Sequence, residues 1–277
     1  MHEEFRKLAK PYLVWLYLLA VLPAVVMFGL IFLDTEDVVI ETPGITLENF
    51  LYLAEPSVLK AFYNSFKFAI LTTLLSAVFG YIVAYKVFRS RFRNKFLILV
   101  ILILPMWSNM LLRIEALGNI LERHNIITDL LSRIGIHIGV NLKGTEAGVL
   151  IGLVSTYMPF MILPIYTALE KIDFSLEEAA LDLGATGLQK FWKVVFPLSL
   201  KGVVTGGILV FLPSLSGFAI PYILGKGNII LIGNLIEQNF KEMNYNAGSL
   251  LASLILIVIF AALLAVNRVD KEGETLL

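Results

Sequence analysis

The chain has 277 residues, of which 58% are hydrophobic and only 16% charged, with a mean hydropathy of +0.82 and a formal net charge of zero. A water-soluble domain of this length carries roughly 45–50% apolar and about 25% charged residues, so lipid must be the solvent for much of this surface. The balance of 22 basic against 22 acidic residues excludes a global field for nucleic acid, and the absence of cysteine excludes disulfides, thiolate metal sites and cysteine nucleophiles.

Crossing a bilayer core takes about 20 apolar residues at about 1.5 Å of rise each. The first such run, Pro11–Leu33, lies between the bases Arg6, Lys7, Lys10 and the acids Asp34, Glu36, Asp37. It is too long for the apolar region of a secretion signal and is followed by no small-x-small cleavage site, so it reads as an uncleaved span. The second run, Asn64–Phe88, ends in a basic cluster of Lys86, Arg89, Arg91, Arg93 and Lys95. The third, Phe96–Leu117, contains Pro105 and then Trp107, Ser108, Asn109, Arg113 and Glu115. Continuous helical geometry puts Asn109 ~20 Å and Glu115 ~28 Å across a ~30 Å core, with these polar groups on one arc. Lipid penalises such an arc, which makes Trp107, Ser108, Asn109 and Glu115 candidates for the wall of a translocation path. The competing reading is that Arg113 and Glu115 neutralise one another near the headgroups and only anchor the helix.

The segment Asn119–Ile138 spaces Ile120, Ile127, Leu130, Leu131 and Ile134 as an amphipathic helix would. The fourth run, Thr145–Leu169, carries Pro159, Pro164 and the pair Gly148/Gly152; the fifth, Gly202–Leu224, carries Pro213, Pro221 and the pair Gly202/Gly206. Small residues at that spacing permit close helix approach, and prolines kink a span where neighbours or a cavity compensate. Ser214, Ser216 and Tyr222, polar groups beside the two prolines of the fifth run, are further candidates for the same wall. Asn228–Phe240 is a second amphipathic segment, read as a packing helix on the outer face, and Ala247–Val266 is the sixth run. The expected fold is therefore an all-α integral membrane protein of about six spans, a single domain over 1–277. The denser basic loops, 86–95 and 171–201 together with both chain ends, belong in the cytoplasm.

The connection 170–201 carries two helix-start signals, Ser175 followed by Glu178 and Thr186 followed by Gln189, with Gly184 between them as a left-handed stop. The expectation is helix, sharp turn, helix, the first exposing Ala179 and Ala180 as a small-residue face suited to a groove on another protein.

These residues resemble a known family. Glu178-Ala179-Ala180, three residues, Gly184, nine residues, then Val194-Val195-Phe196-Pro197 is similar to the E-A-A, x3, G, x9, I-x-L-P loop of ABC-importer permeases, with Val194 and Phe196 in place of isoleucine and leucine. Leu104–Leu117, Pro159–Asp173 and Asn228–Phe240 further resemble the spermidine/putrescine permeases of the PotB family. The resemblance implies a type I permease architecture in a prokaryotic plasma membrane. It also implies that Glu177, Glu178, Ala179, Ala180, Gly184 and Pro197 couple the chain to an ATPase. The implied complex has a second permease, two ATP-binding subunits that hold the ATP and Mg, and an extracytoplasmic binding protein. One departure stands out: related permeases often carry an acid in the Pro213–Tyr222 region, where this chain has Gly217 and Tyr222.

No phosphate-cradling G-x-x-x-x-G-K-[ST] loop occurs, so any ATP that drives the chain binds elsewhere, and no H-E-x-x-H or G-x-S-x-G motif points to a metal or serine hydrolase. His2, His124 and His137 fall in no metal spacing. The rival readings are an ion-coupled secondary transporter, which needs carboxylates inside the spans, an intramembrane enzyme, which needs a catalytic pair there, and an ABC permease for a different small solute.

Overall fold

The computed structural model describes residues 2–34, 44–125, 128–130 and 141–269. The expected positions Glu36, Asp37, Ile127, Leu131, Ile134, His137 and Lys271 lie outside these. Continuous apolar runs with no edge strand to complete them become helices, because only a helix satisfies its own backbone in lipid. Helix α1 is His2–Ile31, α2 Pro56–Arg89, α3 Lys95–Ile103 and α4 Met110–Leu121. Helix α5 is Glu146–Glu170, α6 Phe174–Asp182, α7 Gly187–Lys190 and α8 Phe196–Ser216. The chain closes with α9 Ala219–Gly225, α10 Ile232–Lys241 and α11 Tyr245–Val269. A two-residue antiparallel pairing of Leu33–Asp34 with Gly44–Ile45 follows α1. Among the described residues five helical stretches are long and apolar enough to cross a membrane, or six if one sharply bent pair counts as a span.

The core is a three-helix stack of α2, α5 and α8. Phe68, Tyr81 and Ala84 of α2 meet Leu153, Met161, Ile165 and Leu169 of α5 and Val210 of α8 in one buried cluster. Close approach of α8 to α5 requires glycine: a Cβ on Gly202 would sit 2.5 Å from the Pro164 carbonyl oxygen, and one on Gly206 would sit 2.7 Å from the Met161 sulfur. Pro164 has in effect been placed where its neighbour lacks a side chain. At the end of the stack away from the basic loops, Lys67 of α2 donates to both carboxylate oxygens of Glu146 at the start of α5, at 2.8 and 2.6 Å. Helix α1 stands apart, with α11 as its main neighbour, and Trp15, Tyr17, Leu18, Leu22 and Val25 are exposed for lipid or another subunit.

Two expected spans are not single helices. The third breaks after α3: a 3-10 turn over Leu104–Trp107 and an extended Ser108 precede α4, and the two halves meet at 92°. Pro105 can donate no backbone hydrogen bond, and Asn109 accepts from Leu111 N at 2.9 Å, so a strong stop is followed by a strong start. The fifth breaks at Gly217 and Phe218, so α9 is a separate short helix tucked against α4 and α5. Helix α10 lies on that second break, where a Cβ on Gly233 would meet the Gly217 carbonyl oxygen at 2.9 Å. Its backbone is tied down by Ser65 Oγ, which accepts from Ile232 N at 2.8 Å in a buried contact. The second amphipathic segment is therefore a packing helix, as expected, beginning at Ile232.

Gly202→Val should force α8 away from α5 at a cost of about 1–3 kcal/mol, the range for overpacking a tight core. The expected outcome is a lower melting temperature of the detergent-solubilised protein; an unchanged melt would show that the two helices adjust freely.

Candidate functional site

The connection between α5 and α8 folds as helix, reversal, helix. Helix α6 starts two residues earlier than the Ser175/Glu178 signal places it: Asp173 is the cap, accepting from Ser175 N at 2.9 Å. That hydrogen bond to the charged form holds the Asp173 carboxyl below its ordinary pKa. Ser175 already lies inside the helix, so its hydroxyl has no helix start to cap, and Glu178 stands exposed rather than capping. Gly184 does what its spacing predicts, with φ +83°. Ala185 N donates to Ala180 O at 3.0 Å and Gly184 N to Leu181 O at 2.9 Å, the paired bonds of a Schellman stop. The second box is present in full: Gln189 N donates to Thr186 Oγ1 at 3.3 Å and Thr186 N to Gln189 Oε1 at 2.9 Å. Pro197, in the first turn of α8, has no N–H to give, and the backbone just before it widens to a π turn over Phe191–Val195.

The side chain that organises this loop is Glu177, only 1% exposed. Its carboxylate accepts from Arg89 at the end of α2 and pairs with Lys190 of α7 at 2.9 Å. Burial alone would raise its pKa, yet the hydrogen bonds and charge of Arg89 and Lys190 outweigh burial and hold it below the ordinary value. The Arg89 guanidinium also lies 5.3 Å from the centre of the Tyr85 ring and 5.2 Å from that of Phe88. Tyr81, Tyr85, Phe191, Trp192 and Phe196 continue the contact as a ring cluster between α2 and the start of α8, closed by Tyr81 Oη and Ser199 Oγ at 2.8 Å. One side of the loop is thus fixed to the bundle. The loop also exposes Phe174, Leu176, Leu181, Leu183 and Leu188, with Leu183 89% exposed and Ala180 half-buried; of these, Leu176 and Leu183 share with Ala179 the face turned away from Glu177. Arg89, Lys190 and Asp173 were not selected from the sequence; the basic cluster after the second span was assigned to topology alone, and the pairing of Arg89 with Glu177 joins residues 88 positions apart.

The expected polar arc on the third span does not form, because the break at Ser108 reorients everything after it. Ser108 Oγ donates to Pro105 O at 2.7 Å, Arg113 donates to the same carbonyl at 2.6 Å, and Asn109 is spent on capping α4. Glu115 faces Lys143 at 3.7 Å and not Arg113, which removes the mutual-neutralisation reading as well. Trp107 projects from the break, 89% exposed. At the second break Ser214 is buried in the chain's own core, which takes it off any exposed wall, whereas Ser216 borders a cavity under α10 and donates to Leu212 O at 3.1 Å. Tyr222 is 64% exposed beneath Lys241. Lys143 further joins Glu122 at 3.1 Å, and Lys226 reaches the same carboxylate at 3.1 Å, binding the ends of α4 and α9 together.

Residues 3–271 match the model of a family described as binding-protein-dependent transport system inner membrane components. The spermidine/putrescine transport system permease protein PotB of Haemophilus influenzae is 32% identical over 263 residues, covering 92% of this chain and 92% of that protein. PotB of Escherichia coli is 32% identical over 253 residues, covering 91% and 92%. Among solved structures, a bacterial alginate ABC transporter in complex with an alginate pentasaccharide-bound periplasmic protein superposes with a TM-score of 0.77, covering 96% of this chain and 93% of that one at 14% identity.

Glu177→Gln removes the counter-charge of Arg89 and Lys190 and should loosen the loop by about 1.5–3 kcal/mol, the worth of hydrogen bonds to charged groups. Limited proteolysis within 174–190 should quicken while the amount of protein in the membrane holds. Because the carboxyl's pKa is lowered, the anchor is at full strength above the ordinary carboxylate value of about 4.3 and is lost only as pH falls through the lower, folded value. Wild-type protease resistance in the variant would remove the anchoring role.

Proposed function

The chain belongs to the family of binding-protein-dependent transport system inner membrane components, and from that premise we propose that its cargo is a polyamine of the spermidine/putrescine class. It is a multi-pass inner-membrane permease subunit of an ABC importer. The cargo assignment rests on the similarity to PotB proteins across nearly the full length of both chains. A second permease completes the path, two ATP-binding subunits hold ATP and Mg, and an extracytoplasmic binding protein delivers the cargo. The loop 170–201 and both termini lie on the cytoplasmic side, as the dense basic residues around Arg89–Lys95 and Lys190–Lys201 favour.

The observation that supports the coupling role is the two-sided construction of α6. Its apolar outer face suits a cleft on an ATPase subunit, while Glu177 on its inner face is held by α2 and α7. Closure of the ATPase pair on ATP moves α6 as a rigid body. Arg89 passes that displacement to α2, and the ring cluster passes it to α8, so two of the three stacked core helices move together. This is a two-state domain rotation rather than a flexing of side chains. The chain makes and breaks no bonds: the work of hydrolysis is done on the ATP-binding subunits, and this subunit contributes the lever and part of the wall.

The reconstituted importer with its binding protein should take up labelled spermidine or putrescine in an ATP-dependent manner, and each polyamine should compete with the other. Uptake that neither amine supports or inhibits would overturn the polyamine assignment. Cysteines introduced at Arg91 and Gln189 should react with an impermeant maleimide only in inside-out vesicles, and one at the exposed Met243, just after α10, only in intact cells; labelling at Gln189 from outside would overturn the orientation.

A further inference from the structure

Helix α10 brings charge to the break in the fifth span. Glu237 borders two cavities at once. One, of 440 Å³, is shared with Ser216, Phe218, Gly233, Ile236, Phe240 and Lys241. The other, of 330 Å³, lies on the opposite flank and includes Tyr222, Asn234, Gln238 and Glu242. The Glu237 carboxylate pairs with Lys241 one turn along α10, and the Lys241 ammonium lies 5.6 Å from the centre of the Tyr222 ring. So an alkylammonium is already seated between a carboxylate and an aromatic face, on the edge of two hollows. Glu237 holds that ammonium protonated, above its ordinary pKa, first by its hydrogen bond and then by its charge.

Each element has the chemistry a primary amine needs. A carboxylate supplies the counter-charge, a phenol ring supplies quadrupole attraction, and the cavities supply room for a methylene chain. Lys241 is well exposed, and exposed helix pairs of this kind are weakly held, so its side chain is free to swing out when a competing cation arrives. Two further polar groups border the same hollow: Gln238 donates to Glu242 at 2.9 Å, placing a second carboxylate beside the first.

Resting on the polyamine reading above, we propose that Glu237 and Tyr222 form an amine subsite on the wall of the path, with Lys241 as a tethered resident cation that cargo ammonium groups displace. A merely structural clamp of α10 would need both members of the Glu237–Lys241 pair equally. A subsite needs the carboxylate and is relieved by loss of the lysine, because an occupied site lowers apparent affinity by the fraction left open.

The experiment uses the complete importer in proteoliposomes with saturating binding protein, reading labelled spermidine uptake and ATP hydrolysis together. E237Q should lower uptake per ATP hydrolysed about tenfold and Y222L about threefold, as loss of a counter-charge and of a ring face predict, with E237D recovering much of the loss. K241Q should raise uptake at limiting cargo about twofold. Equal losses in E237Q and K241Q would overturn the proposal in favour of a clamp, and wild-type ratios in E237Q and Y222L would take the site off the path. If wild-type importer moves no polyamine, the cargo reading falls and the subsite with it. Wild-type polyamine uptake with indifferent variants overturns the subsite alone.

Discussion

A carboxylate removed from water needs cations to stay charged, and Glu177 finds them at the ends of two different helices. This one requirement fixes how the loop 170–201 sits on the bundle. Arg89 must end α2 at a particular turn, Lys190 must follow the reversal at Gly184, and the rings of Tyr85 and Phe88 must support the guanidinium from beside it. Removing Glu177 leaves both cations without their counter-charge, the costly failure of a buried pair, whereas removing one cation leaves the carboxylate with a single partner. The Schellman stop and the Thr186 box matter because they bring Lys190 back to within 2.9 Å of Glu177 after the chain turns round.

The breaks in the third and fifth spans obey a different rule, that every backbone group in an apolar medium keeps a partner. The Pro105 carbonyl exchanges its α-helical donor for Ser108 N at 3.3 Å and receives the Ser108 hydroxyl and the Arg113 guanidinium as well. At the other break Gly217 N still reaches Pro213 O at 2.9 Å, and the Phe218 carbonyl accepts from Asn234 of α10 at 2.9 Å. Irregular backbone is tolerated there because polar side chains from nearby turns and from a covering helix satisfy it. The same breaks leave Trp107 and Tyr222 projecting from the bundle.

Much of this was legible in the sequence, and the rest was hidden for identifiable reasons. Continuous apolar runs located the spans, and Gly184 and the Thr186/Gln189 box were read correctly because capping is a local interaction, complete within a few residues. The first cap was placed late because Ser175 and Asp173 are both good caps, and only the path of the chain out of α5 decides between them. The polar arc failed because a helical wheel presumes continuous helix, although Pro105 followed by Asn109 was a stop-and-start signal in plain view. Arg89 and Glu237 were not selected because their roles depend on contacts made across the fold: one was counted only as a topology marker, the other lay in a segment read as packing.

The isolation of α1 bears on how the chain is made. Its main neighbour among the described residues is α11, which is translated about 200 residues later, so α1 enters the membrane long before this partner exists. During synthesis it has only lipid, an insertion factor or another subunit to cover Trp15, Tyr17 and Leu22. The central stack of α2, α5 and α8 needs neither end and can form while translation continues. The pairing of α1 with α11 is therefore a late event, added to a stack that is already complete.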